Sequence, residues 1–123
     1  MTDDLKQLEQ DADGLTIYEY IVNHVEDVEE SLPELAEFMK RADLTGQFLA
    51  STARFLAAVN RSKFDKYLSA FIEGALERDR ERKYIGSLLE AIWGPDYREK
   101  SDELCQTDNN FRRIYKRIFP TGI

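Results

Sequence analysis

Apolar residues recur along this chain at helical spacing. Ile17, Ile21, Val25, Val28 and Leu32 fall within about 80° of one another at 100° per residue, one face of a helix. Thr16, with Glu19 three residues on, forms a capping box and predicts the start of that helix. Ser31, Pro33 and Glu34 predict a second start, with a short helix reaching about Arg41 and packing Leu35, Phe38 and Met39. "ADLTGQ" follows, with Asp43 or Thr45 as cap. Leu44, Phe48, Leu49, Thr52, Phe55, Leu56 and Val59 then make the next stripe. "NRS" at 60–62 ends it, and Ser62 with Asp65 opens a helix that carries Phe64, Leu68, Phe71, Ile72 and Ala75. No stretch alternates apolar and polar residues over a strand's length, so no strand is predicted.

Seven consecutive charges, "ERDRERK" at 77–83, precede the next apolar set of Ile85, Leu88, Leu89 and Ile92. Across that run the apolar face turns by about 90°, which a straight helix cannot serve with a single partner. A break near Glu77–Asp79, with Asp79 as a new cap, is preferred to one helix over 63–93. "WGPD" at 93–96 is a stop, because Gly94 suits a left-handed position and Pro95 cannot continue a helix. Residues 97–106 are polar, with room for one helical turn, and "TDNN" caps the last helix. At the other end, residues 3–10 predict a short frayed helix with only Leu5 and Leu8 to pack. "DADG" at 11–14 reads as a turn. The predicted fold is all-α: a compact antiparallel bundle of about five helices, one domain over 1–123 with 1–14 frayed or flexible. No internal repeat is visible.

The last helix raises the question of function. Phe111, Ile114, Tyr115, Ile118 and Phe119 lie on one face; Arg112, Arg113, Lys116 and Arg117 lie on the other. The apolar face predicts docking on the core, and bases near a helix C-terminus suit its dipole. The basic face is then solvated, paired, or used on a partner.

Charge sharpens this picture. The net charge is −7, but it is uneven. Residues 1–37 hold twelve acids and one base, whereas residues 38–123 hold twelve acids and sixteen bases. Such asymmetry can be satisfied inside one molecule, between copies, or by a partner. A strongly acidic chain repels a phosphate backbone, and four bases neutralise only a few phosphates, so nucleic acid is disfavoured. There is no run of apolar residues long enough to span a membrane. The start lacks the basic and apolar regions of a secretory signal. The single cysteine, Cys105, allows no internal disulfide. Together these favour the cytoplasm.

No catalytic constellation stands out. "EQDADG" imitates the front of a calcium loop, but Tyr20 stands where a bidentate glutamate is needed. His24 is the only histidine and reads as a boundary residue of the first stripe. It lacks the spacing partners of a di-iron or zinc site. A His24–Cys105 dyad has only residue type behind it. The acids Glu26, Asp27, Glu29 and Glu30 face solvent, and no glycine-rich phosphate loop exists. A helix–turn–helix reading around Asp43–Gly46 would present Gln47, Ser51 and Arg54, a thin set for phosphate and base contacts.

The expectation is therefore a non-enzymatic interaction or regulatory module with no cofactor, binding a protein partner or a second copy of itself. A nucleic-acid-associated protein, or an acidic mimic of nucleic acid, is the alternative. The candidate surfaces are Arg112, Arg113, Lys116 and Arg117, and the run Arg78, Arg80, Arg82 and Lys83. The second run is expected as a solvated, self-paired helix surface.

Overall fold

The computed structural model describes residues 6–120. Six helices follow the first turn: α1 (Leu15–Asn23), α2 (Leu32–Ala42), α3 (Gln47–Arg78), α4 (Gly86–Trp93), α5 (Ser101–Thr107) and α6 (Asn109–Ile118). A short 3-10 turn, Glu29–Ser31, leads into α2. No strand forms among the described residues, and the fold is all-α. No described helix is long and apolar enough to cross a membrane. The predicted stripes supply the core: Ile17, Ile21, Leu35, Met39, Leu49, Leu56, Phe64, Phe71, Ile85, Leu88, Phe111 and Ile114 are all buried.

Several boundaries differ from those expected. The first helix stops at Asn23, so Val28 and Leu32 reach the core from separate elements. Thr16 is not its cap. Gly14 holds that position, and the N-terminal amides are met from upstream by Asp11 and Asp13. Ser31 does precede α2, but its side chain makes no cap bond. α3 is broken at Asn60, whose extended backbone interrupts two helical halves. Asn60, rather than Ser62, caps the second half by accepting from the Lys63 amide at 3.0 Å. Leu44 and Val59, placed in the apolar stripe by spacing, are 70% and 47% exposed. Leu44 lies in the loop between α2 and α3 and Val59 at the break beside Asn60, where the 3.6-residue period no longer governs direction. Residues 101–107 form a full helix where a single turn was expected. Leu8, in the segment expected to fray, is buried against the core. Leu5 lies outside the described residues.

The charged run at 77–83 does not continue the helix. α3 ends at Arg78, and the chain turns through Arg80 to Arg82 before α4. This agrees with the predicted break and corrects two expectations. Residues 78–83 are not a helical surface, and Asp79 is the C-cap of α3, whose carboxylate holds the loop amides of Lys83, Tyr84 and Ile85 rather than capping α4.

An internal repeat does exist. Asp11, Asp43 and Asp79 each open a loop whose fourth residue has left-handed backbone: Gly14, Gly46 and Arg82, with φ of 99°, 85° and 61°. In each loop the aspartate Oδ2 accepts from the amide six residues on, namely Ile17 at 2.9 Å, Leu49 at 2.8 Å and Ile85 at 2.8 Å. The turn brings the chain back over the aspartate and delivers an apolar residue to the core. Asp43 and Asp79 are buried by it, at 1% and 2% exposure, and their charge is met by backbone donors.

The loops stack on one another. A Cβ on Gly14 would stand 3.1 Å from the Asp43 Cβ, and one on Gly46 would stand 3.0 Å from the Asp79 Cβ. The helices after them keep the same order. Tyr18 of α1 packs near Phe48 and Phe55, and Arg54 donates to Ser87. In the second layer Tyr67 meets Glu29, Asn110 meets Ser69, and Arg117 meets the Leu76 carbonyl. The last two pairs share one sequence offset, so α6 runs parallel to the second half of α3, unlike the antiparallel neighbours expected. Three units therefore stand side by side, each opened by an aspartate loop: α1 with α2, the two halves of α3, and α4 with α5 and α6. This is the logic of stacked helical repeats, in which each unit buries its face against the next.

Candidate functional site: the basic edge of the stack

Stacking sorts the charge. The first unit carries exposed Asp13, Glu19, Glu26, Asp27, Glu30, Glu34 and Glu37; the third carries the basic run and α6. Among the described residues the acidic third meets cations in two ion pairs, Glu9–Arg41 at 3.7 Å and Glu37–Lys40 at 3.6 Å. Neither reaches the candidate surfaces.

The fold joins the two predicted basic patches at one point. Arg117 lies at the end of α6 and donates to the carbonyls of Leu76 and Asp79, at 2.7 and 2.8 Å. The Leu76 carbonyl is an orphan acceptor at the C-terminus of α3, where a cation also suits the helix dipole; the Asp79 carbonyl accepts from the Arg82 amide as well, at 3.2 Å. Arg82 returns the contact by donating to the Arg117 carbonyl at 3.2 Å. Arg117 is thus a half-buried clamp between α6 and the third loop.

The other bases are freer. Arg113 lies one turn before Arg117, about 6 Å along the axis. Arg112 and Lys116 are exposed, with Arg112 bonded to Asn109 of its own helix. Arg80, Arg82 and Lys83 are exposed in the third loop. Lys83 pairs with Glu81 at 3.0 Å, and that hydrogen bond and charge hold its ammonium above the usual lysine range. Arg78 is half-buried, and its Nε is a buried donor with no partner.

A groove of about 270 Å³ opens here between the second and third loops. Leu44 and Thr45 form one wall; Arg78, Asp79, Arg80, Glu81, Lys83 and Tyr84 form the other. Sequence reasoning named the cations but missed Leu44 and Tyr84. Leu44 was assigned to the core stripe, although its place directly after a capping aspartate is a signal for exposure.

The remaining candidates separate. His24 is exposed at the end of α1, bonded to the Tyr20 carbonyl and stacked on the Tyr20 ring. Cys105 is half-buried and lines a different groove with Tyr115, Lys116 and Phe119. No cluster of three or more metal-ligating side chains occurs among the described residues. In the helix–turn–helix reading, Arg54 is tied to Ser51 and Ser87 rather than presented outward.

Comparison with protein-family models, with curated proteins and with solved structures finds no match to this chain.

Proposed function

We propose that this chain is a non-enzymatic protein-interaction module. Its working surface is the basic edge formed by the third loop and α6, and its partner presents an acidic protein segment. One observation carries this reading. Arg80, Arg113 and Lys116 have no ion pair among the described residues, although the chain holds an excess of acids. Uncompensated like charges raise the energy of the free protein and favour an oppositely charged partner. His24 and Cys105 line separate grooves, which argues against a shared nucleophilic site. The single cysteine suits a reducing cytoplasm. Self-association is a second form of the same idea, because the acidic first unit of one copy complements the basic third unit of another.

Titration with poly-glutamate, poly-lysine and duplex DNA tests the proposal. Binding of poly-glutamate that weakens with salt, and weakens again on reversing Arg112, Arg113 and Lys116 to Glu, is expected. Tighter binding to duplex DNA would replace the proposal with the nucleic-acid alternative. No binding to any polymer would remove both.

A further inference from the structure

We propose that the groove between the second and third loops is a two-part peptide subsite. It takes a carboxylate side chain of a protein partner on Arg78, Arg80 and Lys83, and an adjacent apolar side chain on Leu44 and Tyr84. This rests on the interaction reading above and specifies what the surface recognises.

The cationic half keeps a net positive charge, with Arg78, Arg80 and Lys83 set against Asp79 and Glu81. The carboxylate of Asp79 is occupied by the amides of Lys83, Tyr84 and Ile85. Glu81 is held by Lys83. Arg78 and Arg80 line the groove and take part in no described ion pair.

Arg78 adds geometry to charge. A buried N–H without an acceptor is unfavourable until one arrives. Its Nε is such a donor, on a half-buried side chain that lines an open groove. Nε and a terminal nitrogen of the same guanidinium make a planar edge that matches the two oxygens of a carboxylate.

The apolar half is held in place. Leu44 is the most exposed of the described large apolar residues. Asp43 fixes its backbone, because the carboxylate accepts from Thr45, Gly46, Phe48 and Leu49. Tyr84 is fixed likewise by its amide on Asp79 at 2.6 Å. Gly46 against Asp79 locks the two walls together. A preorganised site loses little entropy on binding.

The size and the lining choose the ligand. The groove, near 270 Å³, falls below the range of about 300–1,000 Å³ typical of small-molecule sites and suits one or two side chains. Glu81, which also lines the groove, disfavours a multiply charged phosphate chain more than a single carboxylate, and Leu44 gives nothing to a free inorganic anion. An acidic residue beside an apolar one satisfies both halves.

The test uses a short labelled peptide of alternating Glu and Leu, a control with Gln for Glu, and a phosphorylated control with phosphoserine for Glu. Inorganic phosphate serves as competitor, and anisotropy against the full chain is read. The Glu/Leu peptide should bind. Arg78→Met and Leu44→Ser should each weaken it by about tenfold, the scale of one lost charge-assisted or apolar contact. Lys63→Gln with Lys66→Gln, exposed on α3 outside the groove, should leave it unchanged, and Arg112→Gln with Lys116→Gln should weaken it less than the groove variants do. If Arg78→Met does not fold, Arg80→Gln and Leu44→Ser carry the comparison, since both residues are exposed. Binding that ignores the groove variants but falls with Arg112 and Lys116 would overturn the subsite and leave the interaction reading standing. Preference for the phosphorylated peptide, or displacement by inorganic phosphate, would also overturn it, in favour of a phosphate site. Failure of both the peptide and poly-glutamate to bind would remove the subsite and the reading beneath it.

Discussion

Gly46 leaves no space for a side chain against Asp79: a Cβ there would meet the Asp79 Cβ at 3.0 Å and its amide nitrogen at 3.1 Å. The left-handed residue of one loop is thus packed on the anchoring aspartate of the next. Gly46→Ala combines left-handed strain with overpacking and should cost roughly 2–4 kcal/mol. Gly86→Ala is the contrast. Its new methyl would lie 3.4 Å from Ile118, an ordinary contact, and φ there is not positive. It should stabilise by about 0.4–1 kcal/mol. Denaturant unfolding of the two variants checks both signs.

Arg82 occupies the left-handed position that glycine fills in the other two loops. Comparing Arg82→Gly with Arg82→Ala removes the side chain in both and varies only backbone freedom. Glycine should be the more stable by about 1 kcal/mol, the reverse of the order in a helix. Equal stabilities would mean that the loop relaxes out of this conformation.

The basic quartet of α6 divides by role. Arg117→Met leaves the Leu76 carbonyl unmet, while the Asp79 carbonyl keeps the Arg82 amide, and should cost about 1–3 kcal/mol. Lys116→Ala, at an exposed position, should fall within about 0.5 kcal/mol of the parent. Thermal melts separate the two. A Lys116 effect as large as that of Arg117 would contradict the assignment of Arg117 as the clamp.

Lys100 stands 3.0 Å from Asp96 across one helical turn. Its hydrogen bond holds the Asp96 carboxyl below the usual carboxylate range. A lowered folded-state value means stabilisation that is present above the ordinary carboxylate range and lost as pH falls through the lowered one. Carbon-detected titration should place Asp96 below a free aspartate, and Lys100→Ala should return it to the ordinary range.

Much of the fold was legible in the pattern. The buried faces of α2, α3, α4 and α6 follow the predicted stripes, and Asp43 and Asp108 accept from first-turn amides of the helices they were expected to cap, whereas Asp79 holds the loop before α4. The repeat was not legible, for a physical reason. Its geometry needs three positions only: an aspartate, a left-handed residue three on, and an apolar residue six on. The left-handed residue is glycine twice and arginine once, and the helices between differ in length, so no period emerges. Asp11–Gly14 and Asp43–Gly46 were the readable signal. The candidate cations were found by composition alone, but their division into clamp and free surface depends on which carbonyls Arg117 reaches.

The most direct measurement is an amide NMR map of the chain titrated with a hexaglutamate peptide at low salt. Shifts gathered on residues 44–45, 78–84 and the last turn of α6 are the expected result. Shifts confined to α1 and α2, or an unchanged spectrum, would contradict a basic protein-binding edge.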